Sequence, residues 1–287
     1  MKKFLSILLI VSMLTVFFVS CNKDASTQTA ESTSQSLIDN TSDNASTSES
    51  DSIQEQESTL DDNTTPLSDG IVFEVNSDPY TEGLLFETVP DEEGYVVVGY
   101  EGPSKNVVIP KVYRGFYVVR VLDDAFAEIS KLETVSIPDS VHNIGENTFK
   151  ECVNIKSIVI PESVTVISDY AFYNCSNLTS VKILGDTSIG RYAFSGCSCL
   201  ASIELPYGVT SIGESAFSSC SSLTSVEIPS SVTRIDSYAF GDCGNLKKFV
   251  FKGTIKVWNG IISNGSSSWI GYSSGYSIQC TDGTIKR

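Results

Sequence analysis

A phenylalanine recurs through the second half of this chain at Phe126, Phe149, Phe172, Phe194, Phe217 and Phe240, and every interval but one is the same. The exception, between Phe172 and Phe194, is shorter by a single position. Further columns keep the same register. Three places after each Phe stand Ile129, Cys152, Cys175, Cys197, Cys220 and Cys243, and six places after stand Leu132, Ile155, Leu178, Leu200, Leu223 and Leu246. Nine and eleven places after come pairs such as Val135 and Ile137 or Val226 and Ile228, and Pro138, Pro161, Pro206 and Pro229 follow in four copies. A period in this range marks a stacked-repeat architecture. One such unit is too small to close a core of its own, so the copies must stack and bury a continuous one, each stabilised by its neighbours.

The columns also carry local structure. Ala171, Phe172, Cys175 and Leu178 have helix-like spacing, which predicts a short helical turn at the start of each copy. Val181 and Ile183 alternate, which predicts a strand. The prolines stop that strand, because proline has no N–H for the ladder. A second apolar pair such as Val209 and Ile212 follows, with Gly213 at a bend. Alternation along the strand turns its intervening residues outward. One outward column is Thr134, Ser157, Ser180, Ser202, Ser225 and Lys248; the other is Ser136, Val159, Lys182, Glu204, Glu227 and Val250. The candidate binding face is therefore Thr134, Ser136, Ser157, Val159, Ser180, Lys182, Ser202, Glu204, Ser225 and Glu227, with Lys182, Glu204 and Glu227 expected to form one ridge.

From Ile228 onward the chain reads Ile-Pro-x-x-Val-Thr-x-Ile-x-x-x-Ala-Phe-x-x-Cys-x-x-Leu-x-x-Val with little deviation, and this pattern resembles the BspA-type leucine-rich repeats of bacterial surface proteins. The resemblance spans roughly residues 105–251, and Ile278-Gln279-Cys280-Thr281-Asp282-Gly283 is similar to the end of such proteins. It implies a β-rich α+β solenoid of about six leucine-rich repeats, each one phenylalanine interval long, with a cap at each end and the strands lining a concave face. It also implies a binding module, since family members include adhesins to host matrix and to other bacteria. One copy departs from the pattern: Leu184-Gly185-Asp186 replaces the proline turn and is a residue short, so the stack should not be smooth at the third turn.

The expected organisation is a signal peptide over 1–20, a tether over 21–69, an N-terminal β cap over 70–114, repeats over 115–251 and a C-terminal cap over 252–287. Lys2 and Lys3 precede a largely apolar run from Phe4 to Val19, too short to span a bilayer but suited to export. Val19-Ser20-Cys21 resembles a bacterial lipobox, which implies cleavage before Cys21 and lipid attachment to it; several acyl chains on one residue anchor stably. Residues 22–70 hold eleven acidic side chains and one Lys, which accounts for ten of the sixteen net negative charges. Such a segment has too little apolar area to offset chain entropy, and its charges favour extension. Strand-like runs at Ile71-Val72-Phe73, Leu84-Leu85-Phe86, Tyr95-Val96-Val97-Val98 and Val107-Val108-Ile109 make up the N-terminal cap, and exposed aromatics are expected in the C-terminal one at Trp258, Trp269, Tyr272 and Tyr276.

Catalysis is not expected. The only histidine, His142, occupies the slot held elsewhere by Thr165, Thr210 and Thr233, a surface slot without a supporting nucleophile motif. Five of the eight cysteines share one repeat column with Ile129, which predicts buried, unpaired thiols acting as small hydrophobes. Cys197 and Cys199 lie close together but lack a His or carboxylate set to complete a metal site. No cofactor is implied. The acidic balance excludes nucleic acid, which needs a basic stripe to displace counterions. The expected partners are a protein (host matrix, or another envelope or bacterial surface protein) and the membrane, through the lipid. A scaffold role in the cell envelope is the alternative.

Overall fold

The computed structural model describes residues 77–89, 93–264, 268–271 and 275–287. The signal run, Cys21, the tether, the Ile71–Phe73 run and Tyr272 lie outside the described residues. Among the described residues the first elements are β1 (Leu84–Thr88) and β2 (Gly94–Tyr100), an antiparallel pair, followed by β3 (Asn106–Val108). β4 (Val112–Tyr113) and β5 (Phe116–Val121) form a hairpin whose tight turn, Arg114-Gly115, has φ of 49° and 84°. Two consecutive left-handed residues are the geometry that suits the twist of tight hairpins, and glycine meets it without strain.

A longer and a shorter strand then alternate. They are β6 (Thr134–Ser136) and β7 (Asn143–Ile144), β8 (Ser157–Ile160) and β9 (Val166–Ile167), β10 (Ser180–Ile183) and β11 (Ser188–Ile189). After them come β12 (Ser202–Glu204) and β13 (Ser211–Ile212), β14 (Ser225–Ile228) and β15 (Arg234–Ile235), and β16 (Lys248–Phe251). Helix α1 (Ile255–Asn264) and the hairpin of β17 (Ser277–Cys280) and β18 (Gly283–Lys286) end the chain. The result is a solenoid of about seven turns, mostly strand, with one short helix among the described residues. The expected strands at 84–86, 95–98 and 107–109 fall in β1, β2 and β3, and β3 stacks in register on β6 with Val107 opposite Val135.

The short strands continue one parallel sheet in the order β2-β5-β7-β9-β11-β13-β15, with β1 at its edge. The long strands do not form one sheet. They fall into β3–β6, β8–β10 and β12–β14–β16–β17–β18. Of the two interruptions, the one between β10 and β12 lies at the copy whose turn is a residue short; the one between β6 and β8 lies at a copy of full length.

Between the sheets runs the phenylalanine column. All six rings are fully buried, and successive centroids lie 5.2, 5.1, 5.1, 5.4 and 5.4 Å apart with planes within 16° of parallel. The segment carrying each Phe is not the short helix its spacing predicted. It is a run of turns closed by bonds such as Ile129 N–H to Phe126 O (3.3 Å) and Leu132 N–H to Ile129 O (3.0 Å), and these consecutive turns produce the same apolar spacing. Left-handed residues four apart, such as Asp124 with Glu128 and Tyr170 with Asn174, turn alternate peptides toward the next copy. Phe126 N–H and Glu128 N–H therefore donate to the carbonyls of Thr148 (2.9 Å) and Lys150 (2.7 Å), in a ladder that repeats up the stack.

The cysteine column is buried, and Cys152, Cys175, Cys197, Cys220 and Cys243 are free thiols. They do more than fill space: each donates to the carbonyl of the phenylalanine one coil earlier, as in Cys152 to Phe126 (2.9 Å) and Cys243 to Phe217 (3.0 Å). Burial pushes the Cys152 thiol up from 9.0 to about 12 and raises Cys175 and Cys197 in the same direction, so these thiols are neutral and unreactive at physiological pH.

Candidate functional site

The long-strand face presents the outward columns much as alternation requires. Thr134, Ser136, Ser157, Val159, Ser180, Lys182, Ser202 and Glu204 are exposed. Ser225 and Glu227 are half-buried, against the expectation of free exposure. β14 lies between two paired neighbours, and Lys252 lies over it, 2.6 Å from the Glu227 carboxylate. That ion pair has a clear cause. Register places Glu204 directly opposite Glu227, and like charges facing each other across a ladder destabilise it. Lys252 offsets the repulsion from one side.

The expected ridge of Lys182, Glu204 and Glu227 is not continuous. Glu204 and Glu227 face each other, but Lys182 belongs to the separate β8–β10 pair, where it faces Val159. Between β10 and β12 the face opens into a cleft of about 440 Å³, lined by Ser180, Lys182, Ser202, Glu204 and Pro206 among others. The strand face and the phenylalanine column thus occupy separate sides of each coil, so outward substitutions leave the core contacts in place.

The C-terminal aromatics are placed differently from expectation. Trp258, Trp269 and Tyr276 are buried. They close the open end of the column: Trp269 meets Phe240 at 6.2 Å and Phe249 at 5.0 Å edge-on, and Trp258 packs on Phe251 at 5.1 Å. Thr254 and Asp282 hold the start of α1 over this cluster, Asp282 Oδ1 accepting the Ile255 N–H at 2.8 Å. An aromatic cluster that is partly exposed lies at the other end, while Tyr207 and Tyr238 are exposed within the repeats. Tyr80, Phe86, Tyr95, Tyr113 and Phe116 form an edge-and-stack cluster on the β1–β2–β4–β5 layer, and Phe116 and Tyr117 are 52% and 55% exposed. Their sequence signal is the Arg-Gly pair between two aromatic runs, a tight-hairpin signature that throws the flanking side chains outward. His142 is exposed, in line with its slot. Among the described residues no cluster of His, Cys, Asp or Glu is arranged to hold a metal ion, and no helix is long and apolar enough to cross a membrane.

The BspA type leucine rich repeat region matches this chain in six copies, over residues 105–187 and 185–264. The chain belongs to that family. Among solved structures it is similar to the leucine-rich repeat protein of T. pallidum, with 31% identity and a TM-score of 0.56 over 61% of this chain and 86% of that one. It is also similar to a leucine-rich repeat protein from Bacteroides ovatus, with 30% identity and a TM-score of 0.54 over 61% of this chain; it spans about half (49%) of that longer chain. No curated protein matches. The fold and family together define a repeat scaffold of the kind that binds proteins.

Proposed function

We propose that this protein is a cell-surface recognition module, exported and held to the bacterial membrane by lipid on Cys21, that binds a protein partner through its long-strand face. The observation that carries this reading is the strand face itself. It sets small hydroxyls beside mixed charges, and it is independent of the buried phenylalanine column. A surface of this kind varies without loss of the fold, which suits recognition more than catalysis. The lipobox-like Val19-Ser20-Cys21 and the acidic stretch that follows support an anchor and a spacer. An adhesin-like role, with a host matrix protein or another bacterial surface protein as partner, fits the family resemblance.

The test is a pull-down with the intact chain against host matrix proteins and, separately, against the envelope proteins of the same cell. Capture from the matrix set supports the adhesin reading. Capture from the envelope set alone supports a scaffold role and overturns it.

A further inference from the structure

The long-strand ladder breaks twice, between β6 and β8 and between β10 and β12, and the second break lies at the copy that is a residue short. The interval from Phe172 to Phe194 is one position shorter than its neighbours: Ile183 and Leu205 correspond, as do Ile189 and Ile212, and Leu184–Ser188 stands where the following copy has the longer Pro206–Ser211. The shortened turn is drawn tight: Gly185 lies against the Glu162 backbone with no room for a Cβ, and the Asp186 carboxylate lies against Gly208. Each strand beside the gap hydrogen-bonds away from it. Leu184 N–H donates to Ile160 O at 3.1 Å and Leu205 N–H to Glu227 O at 3.4 Å. No ladder joins β10 to β12, although the two coils keep the usual spacing, with the Phe172 and Phe194 rings 5.1 Å apart.

Two charges of opposite sign flank this opening at the same position on successive copies, Lys182 and Glu204. Neither makes an ion pair among the described residues, whereas Glu227 is held by Lys252. The cleft's own lining mixes the hydroxyls of Ser180 and Ser202 with the side chains of Val181, Ile183 and Pro206, and Leu184 and Tyr207, next in sequence to Ile183 and Pro206, are 46% and 77% exposed.

We propose that this cleft is the specificity subsite of the face, and that it takes an extended polypeptide segment in which a basic and an acidic side chain flank an apolar one. This rests on the reading of the strand face as a protein-binding surface. A basic group answers Glu204, an acidic group answers Lys182, and an apolar side chain between them fills the cleft. A polyanion would satisfy Lys182 and be repelled by Glu204. A neutral glycan would leave both charges desolvated and unpaired, which is costly.

The experiment uses a random dodecapeptide display library selected on the intact chain carrying Cys21→Ser, so that no lipid contributes. The expected result is a consensus with a base and an acid on either side of an apolar residue. Ser202→Trp, which plugs the cleft from an exposed position, should weaken the selected peptides at least tenfold. The exchange Lys182→Glu with Glu204→Lys should invert the charge order in a fresh selection. Thermal melts close to that of the unsubstituted chain show that these outward variants fold. Peptides that ignore Ser202→Trp but are lost in Thr134→Arg overturn the subsite while leaving the face reading standing. Peptides that ignore all of these variants overturn both. No enrichment overturns the subsite, as does binding on a glycan array that Ser202→Trp abolishes.

Discussion

Replacing Phe217 by alanine tests whether the ring column is what holds the copies together. Phe217 is fully buried, and it stacks on Phe194 and on Phe240 at 5.4 Å each, with planes 4° and 7° from parallel. Its N–H donates to Ala239 O at 2.8 Å and its carbonyl accepts the Cys243 thiol at 3.0 Å, so the backbone there is held and cannot collapse into the space left behind. Phe→Ala in such a site costs about 3–5 kcal/mol, and a held backbone argues for the upper half of that range. Phe126 supplies the comparison. It has one near-parallel partner, Phe149 at 5.2 Å, and on its other side Tyr100, tilted by 34° at 6.0 Å. Losing one stacked pair fewer makes Phe126→Ala cheaper by about 0.5–1.5 kcal/mol. Urea unfolding followed by circular dichroism and by tryptophan fluorescence measures both costs, and agreement of the two probes checks that the stack unfolds as a unit. A cost at Phe217 below about 1.5 kcal/mol, half the low end of the usual range, refutes the stacking account, as does an equal or larger cost at Phe126.

Three further outcomes are expected. Because burial raises the Cys152 thiol from 9.0 to about 12, the folded chain keeps a proton that the unfolded chain releases above about pH 9; the contribution is complete below pH 9 and is lost as pH climbs toward 12, at about 1.4 kcal/mol per pH unit. The stability gap between the unsubstituted chain and Cys152→Ala should therefore narrow at that rate from pH 9 to 11 in urea titrations, and a constant gap contradicts the assignment. Metabolic labelling with a fatty-acid analogue should tag the full chain and not Cys21→Ser; a labelled Cys21→Ser chain removes the anchor. Reversing Glu204 and Glu227 together to Lys should shift stability by about 1 kcal/mol or less, since Glu204 is exposed and the Glu227–Lys252 pair is a surface pair, and thermal melts showing a larger loss would mean that the face is structural.

The repeat was legible because each column reports one packing relation. A Phe returning at a near-constant interval had to stack on its predecessor, and Val-x-Ile beside a proline had to be a strand with two outward positions. The missing residue at Leu184-Gly185-Asp186 was legible as an irregularity, and it lies beside the break between β10 and β12. The turn segment was misread because helices and consecutive β-turns both place apolar residues three apart. Only the left-handed residues such as Asn147 and Tyr170 distinguish them, and here Tyr and Glu hold that conformation, at a steric cost that glycine would not carry and that the sequence does not announce. The tryptophans were misread because nothing in their local sequence says that the last coil needs a lid; the faces of Phe249 and Phe251 at the end of the stack require one, and Trp258 and Trp269 supply it. The Glu204–Glu227 repulsion and its relief by Lys252 depended on register, which brings together positions a whole coil apart in the sequence.

The central claim is that the long-strand face is the recognition surface. Biolayer interferometry of the intact chain against matrix and envelope proteins, repeated with Ser157→Arg and Ser202→Arg on that face and with Ser188→Arg on the short-strand sheet, tests it directly. All three serines are exposed, so the variants differ in the side of the coil they alter and not in the core they disturb. The account predicts a partner whose binding falls at least tenfold with the two long-strand variants and is unchanged by Ser188→Arg; binding lost with Ser188→Arg and retained by both others contradicts it.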